Sequence, residues 1–163
     1  MARASADTVL VPSVFDRLLD DEPGVSYEPA RNRGQSLREL EAAVARDLEA
    51  LLNTRQETLD ELPNEYLEVN RSLITYGLPD FTSFSLLSLD DRTRILRSVE
   101  NAIARFEPRL ARVRVNLDVP RNEDRGLRFR IDALLRVDPA PEAVTFDAVL
   151  QLNTQQYVVQ GQY

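Results

Sequence analysis

Glu107, Pro108 and Arg109 are the residues whose types and spacing point furthest toward chemistry in this chain. They follow a run with helical periodicity and precede a run that alternates. A carboxylate at a helix C-terminus faces the negative end of the macrodipole, unfavourable by ~0.3–1 kcal/mol. Pro108 pushes Glu107 out of the helical region, so the break is enforced. An acid misplaced for its own helix, with a guanidinium two residues on, has three uses. It can close the corner as a local salt bridge, it can be presented to a partner, or it can serve as a general acid. The rest of the composition narrows that chemistry. There is no His and no Cys in 163 residues. That removes thiolate metal sites, cysteine nucleophiles, disulfides and every triad built on imidazole. Carboxylate chemistry, or a Ser or Tyr with an unusual base, is what remains for catalysis. With only 5 Gly there is also no Gly-rich phosphate loop, and no metal-ligand spacing is present, so no cofactor is expected.

Stepping outward, the chain holds enough apolar sequence for one core. It is 43% hydrophobic and 29% charged, ordinary for a globular protein. No stretch approaches the ~20 apolar residues of a membrane span, and residues 1–12 lack the charged and apolar parts of a signal peptide. A cytoplasmic protein without direct membrane insertion is expected, with a flexible segment over 1–12 and a single domain over 13–163. All 20 basic residues are Arg, the side chain suited to fixed, bidentate pairing with carboxylates. Charge is uneven: residues 1–91 carry a net −10 and residues 92–163 a net +3.

The elements that position the tripeptide follow from caps and periodicity. Ser13, with Asp16 three residues on, predicts a short helix over 13–20 with Val14, Phe15, Leu18 and Leu19 as its apolar stripe. Pro23, Gly24, Pro29 and Gly34 make 21–35 a loop. Ser36 and Glu39 form a capping box for a helix striped by Leu37, Leu40, Val44, Leu48, Leu51 and Leu52 and stopped at Asn53. A shorter helix is predicted over 64–76, ended by Gly77 in a left-handed position and Pro79. Phe81, Phe84, Leu86 and Leu87 should fold the next loop back on the core. Ser88 and Asp91 cap a helix carrying Leu89, Ile95, Leu96, Val99, Ile103 and Phe106 down to Glu107.

The period then changes to two. Val113, Val115, Leu117 and Val119 alternate with polar residues, as do Leu127 through Val137 after a polar hairpin loop. Val144 to Leu152 give a third strand, and 156–160 a short fourth. The fold class is therefore α+β: N-terminal helices packed on one face of a C-terminal antiparallel β-meander of three to four strands. Arg109 shares parity with Val113 and Val115; if the strand starts early enough, it points toward the core side or its rim, where a charge should be paired.

Five segments in this order resemble the TssE family of type VI secretion baseplate subunits, related to the lysozyme-like wedge protein of contractile-phage baseplates. They are Ser13-Val14-Phe15-Asp16-Arg17-Leu18, Ser36-Leu37-Arg38-Glu39, Tyr76-Gly77-Leu78-Pro79-Asp80-Phe81, Arg105-Phe106-Glu107-Pro108-Arg109 and Leu127-Arg128-Phe129-Arg130-Ile131. The resemblance spans roughly residues 9–159 and implies a structural, non-enzymatic role in the baseplate wedge beside TssF, TssG and TssK. It also implies that the protein helps start the TssB–TssC sheath, with the sheet pairing with sheath strands. The family's contact with the wedge core bundle carries over to Glu107, Pro108 and Arg109.

Two rivals stand beside it. The first is a lysozyme-like peptidoglycan hydrolase with Glu107 as acid, which needs a second carboxylate ~5–9.5 Å away; Asp80, Asp90, Asp91 and Asp118 read more simply as caps, turns or strand-face residues. The second is a nucleic-acid-binding module over 92–136, which holds 12 Arg and 6 acids. There the Arg residues alternate with Asp and apolar positions, as on a solvated strand face, and no nucleic-acid partner is expected. The terminal strands, 144–152 and 156–160, offer an edge where a partner strand can add.

Overall fold

The computed structural model describes residues 10, 12–18, 24, 36–57, 66–70, 72–85, 88–118, 127–151 and 156–161. The expectations for 1–9, for Leu19, Leu86, Leu87 and Val119 and for the hairpin loop after it, and for most of the loop over 21–35, lie outside these residues.

Among them, four helices precede four strands: α1 Val14–Leu18, α2 Leu37–Asn53, α3 Leu67–Asn70, a 3-10 turn Leu73–Thr75, and α4 Leu89–Phe106. The strands are β1 Leu110–Asp118, β2 Leu127–Leu135, β3 Glu142–Gln151 and β4 Gln156–Gly161. The sheet is an antiparallel meander in the order β1-β2-β3-β4. The expected α+β layout holds: α2 lies against β4 and α4 against β1.

The two long helices start where their caps predict. Ser36 and Glu39 exchange both bonds of the capping box, and the Ser88 hydroxyl accepts from the Asp91 amide. Each such cap contributes ~1 kcal/mol. Their stripes, with Val44, Leu48 and Leu51 from α2 and Ile95, Val99 and Ile103 from α4, meet Val115, Phe129, Ile131 and Phe146 of the sheet in one core. Phe81 and Phe84 pack against that core as expected.

The apolar stripe of α1 is not in the core: Val14, Phe15 and Leu18 are exposed, and α1 is held to α2 by the Asp16–Arg46 ion pair. The expected helix over 64–76 is broken. α3 ends at Asn70 and Ser72 caps a separate 3-10 turn, its hydroxyl competing for local amides. Tyr66, Leu67, Leu73 and Ile74 are exposed rather than core. β1 starts too late for strand parity to place Arg109, and a bulge with Arg112 at φ 53° separates it from Val113 and Val115; it is nonetheless half-buried and paired with Glu107 and Asp47.

Gly77 does more than stop the turn before it. With φ 106° it lets Leu78 form a parallel bridge with Arg55. The Leu78 amide donates to Thr54 O at 2.8 Å and the Gln56 amide to Leu78 O at 2.8 Å. A Cβ on Gly77 would lie 2.4 Å from Thr54 O, so this position requires glycine.

Candidate functional site

The corner after α4 is built from its backbone first. Glu107 caps α4 with φ −119° and ψ 80°, outside the helical region as Pro108 demands, and its amide donates to Ile103 O at 2.8 Å. Glu107 O then accepts from the Leu110 amide at 3.1 Å, and Arg109 O from the Arg136 amide at 2.8 Å. The turn is thus tied to α4, to β1 and to the chain leaving β2.

The side chains lock onto this frame. Glu107 is only 4% exposed. Its Oε1 accepts from the Arg109 amide at 3.2 Å and from Arg109 Nε at 2.7 Å, and its Oε2 accepts from Arg109 Nη2. Arg109 Nη2 also donates to Asp47 Oδ2 of α2 at 2.5 Å. The guanidinium therefore bridges two carboxylates, one buried and one at the surface. Hydrogen bonding of the guanidinium to the Glu107 carboxylate raises the Arg109 pKa above its ordinary value; burial opposes this, and Asp47 adds to the rise. Arg109 stays charged at any pH the fold survives.

Aromatic rings complete the corner. Tyr76 stands edge-on to Phe106, with centroids 5.1 Å apart and planes at 70°. Burial raises the Tyr76 phenol above its usual range, and the charges of Asp47 and Glu107 add to the effect. Arg105 reaches back from α4 to donate to Thr75 Oγ1 at 3.2 Å.

Between these groups lies an open recess of about 380 Å³, lined by Ser13, Asp47, Ala50, Leu51, Tyr76, Phe106, Glu107, Pro108 and Arg109. All three expected site residues line it. They are not equivalent: Pro108 is exposed, Arg109 keeps a quarter of its side chain in solvent, and Glu107 is buried beneath them. The local salt bridge weighed from sequence is present, and the corner around it is not sealed.

Sequence reasoning missed Asp47 and the place of Tyr76. Asp47 lies 62 residues from Arg109, but it was not without a signal. It follows Val44 by three and precedes Leu51 by four, a position on the buried stripe of α2. An acid there calls for a cation from elsewhere.

Comparison with known protein families matches residues 38–140 to the baseplate wedge protein gp25. The chain belongs to that family. The match runs from α2 to the turn after β2, so it contains Asp47 and the whole Glu107-Pro108-Arg109 corner of this gp25-family protein. It bears out the recognition drawn from the motifs, the TssE family with its relation to the phage baseplate wedge. No curated protein matches the chain. Membership makes it a structural baseplate component of a contractile injection system, with other baseplate proteins as partners. Among the described residues no helix is long and apolar enough to cross a membrane, and no group of three or more acids could hold a metal ion.

Proposed function

We propose that this gp25-family protein joins the baseplate wedge of a type VI secretion system at the cytoplasmic side of the inner membrane of a Gram-negative bacterium. TssF and TssG, with TssK nearby, are its wedge partners, and its sheet helps to start the TssB–TssC sheath by strand pairing. The role is structural, not enzymatic.

One observation carries the reading: a guanidinium clamped by two carboxylates, still partly exposed, beside an exposed proline and an aromatic recess. A side chain fixed in this way loses little further entropy when a partner docks on it. On this reading the labour is divided: Glu107, with its side chain 6% exposed, holds Arg109, and Pro108 with the outer edge of Arg109 is the surface left for a partner. A hydrolase would need one carboxyl free to give up a proton. Here both oxygens of Glu107 accept from Arg109, and the other carboxylate at the corner, Asp47, accepts from the same guanidinium.

The test is co-expression with the neighbouring baseplate proteins, followed by co-purification. Pro108→Glu removes no member of the corner's ion pairs, and the hydrogen bonds accepted by Glu107 O and Arg109 O remain to hold the turn without the ring. It is expected to abolish recovery of TssF–TssG while the melting temperature stays within a few degrees of the parent. Full recovery with this variant would remove the corner from the interface.

A further inference from the structure

The two outer strands of the sheet are protected in different ways. β1 carries Arg112, Arg114 and a bulge where Arg112 turns to positive φ, features that discourage a foreign strand from pairing. Glu100 of α4 also accepts from its Val115 amide at 3.0 Å. β4 has neither charge, bulge nor proline in its six residues, Gln156 to Gly161. A short uncharged run with Tyr and two Val is the composition that pairs readily with strands of other chains.

What stands at the edge of β4 is α2. Asn53 Nδ2 donates to Tyr157 O at 2.8 Å, and Asn53 Oδ1 accepts from the Tyr157 amide at 2.7 Å. Those are the two bonds that a residue of a neighbouring antiparallel strand exchanges with its opposite number. One turn earlier, Glu49 Oε2 accepts from the Val159 amide at 2.9 Å. The spacing explains the fit. Four helical residues rise ~6 Å, and two strand residues rise ~6.6–6.8 Å. The order also matches, because the helix numbers climb as the strand numbers fall. Two side chains of a helix thus imitate an antiparallel strand.

We infer that Asn53 and Glu49 are a guard over the outer edge of β4, and that this edge accepts an extended uncharged strand once they are displaced. In the isolated chain the occupant of the opened edge is β4 of a second copy, because its own Gln-Tyr-Val-Val-Gln sequence meets that description. The guard ends at Val159. Beyond it a groove of about 550 Å³, lined in part by Ala42, Ala45 and Gly161, runs beside the last residues of the strand. An incoming strand enters at Gly161 and displaces Glu49 before Asn53. The inference does not rest on the baseplate reading.

The test uses the full chain with Glu49→Ala and Asn53→Ala together. The Tyr157 and Val159 amides should exchange hydrogen about tenfold faster or more, on the scale of one lost hydrogen bond, while amides of β2 and β3 keep their parent rates. In sedimentation velocity the variant should self-associate at about tenfold lower concentration than the parent. Adding Gln160→Lys, a charge on an exposed position of β4, should return association to the parent level. Glu49→Gln, which retains an accepting oxygen, should resemble the parent in both readouts. Asn53→Ala alone serves if the double variant does not fold. Faster exchange without a change in association overturns the inference, as does association that survives Gln160→Lys.

Discussion

Arg109 sets the energetics of the corner because the carboxylate beneath it is buried. Breaking a buried pair by removing one ion costs ~3–5 kcal/mol, since the other is left without compensation. Arg109→Ala is therefore expected to lower unfolding stability by about 3 kcal/mol in urea, with Arg109→Lys intermediate because an ammonium cannot bond both Glu107 oxygens from one plane. Loss of partner binding in Arg109→Ala then mixes a damaged fold with a damaged surface, whereas Pro108→Glu separates them. A second prediction reads the charge at the corner directly. Asp47 helps to raise the Tyr76 phenol above its ordinary value of 10.0. Asp47→Asn should move it back down toward that value, observed in the ring resonances of Tyr76 during alkaline titration. An unchanged titration would mean that burial and the Glu107 charge hold the phenol up without Asp47.

The elements around the corner owe their placement to a few contacts of known kind. Gly77→Ala forces a Cβ onto the Thr54 carbonyl and strains a positive φ, so it should destabilise the fold by about 2–4 kcal/mol. The α1 clasp depends on pH. Burial works against ionised Asp16, but the Ser13 hydrogen bonds and Arg46 outweigh it, and the pKa is lowered from 3.8. A depressed carboxylate contributes stability that is complete above its unfolded value and lost as pH falls through the folded one. α1 should therefore stay docked above about pH 4 and release only as pH falls through the lowered Asp16 value, with amide signals of Val14–Leu18 losing dispersion while those of α2 persist. What sequence made legible here was whatever is encoded within a few residues. The Ser36–Glu39 box, the Ser88 cap, the Gly77 stop and the alternation in β1 to β3 are all of that kind. The misses were decided at longer range. No residue type marks Arg112 for positive φ, so the bulge that upsets parity was invisible. Whether the stripe of α1 packs inward was equally illegible, because spacing does not show whether a partner face exists. Asp47, Glu49 and Glu100 sit three or four positions from buried stripe residues, and each is engaged by a cation or a strand amide. Acids on an apolar stripe were the unread signal for both the site and the sheet edges.

Over the whole molecule, the acid-rich part up to residue 91 contains α1 to α3, and the Arg-rich part from residue 92 holds most of α4 and the sheet. Several Arg residues of that sheet face acids. Arg114 faces Asp132 across the ladder, Arg130 faces Asp147 at 3.5 Å, and Asp132 also accepts from Thr145 at 2.9 Å. With a net charge of −7, DNA binding by fluorescence anisotropy should be negligible even at low salt. The sheet's edges matter more. Of the two terminal strands, β3 lies inside the sheet, so only β4 can receive a partner strand. Deleting the chain from Gln155 onward is a poor way to test this. Val159 is 7% exposed, and the Tyr157 ring lies 5.8 Å from that of Phe129. The deletion would uncover the core between α2 and the sheet, and sheath failure would then report a damaged fold. Gly161→Pro avoids that. Gly161 shares the outward parity of Tyr157 and Val159, so proline removes an outward donor and leaves the ladder to β3 intact. It is expected to keep the parent's urea midpoint and wedge assembly, and to reduce sheath tubes per cell at least about tenfold, the effect of one lost main-chain bond plus a steric block. Tubes at parental frequency in that variant would mean that the sheath is seeded elsewhere on the molecule.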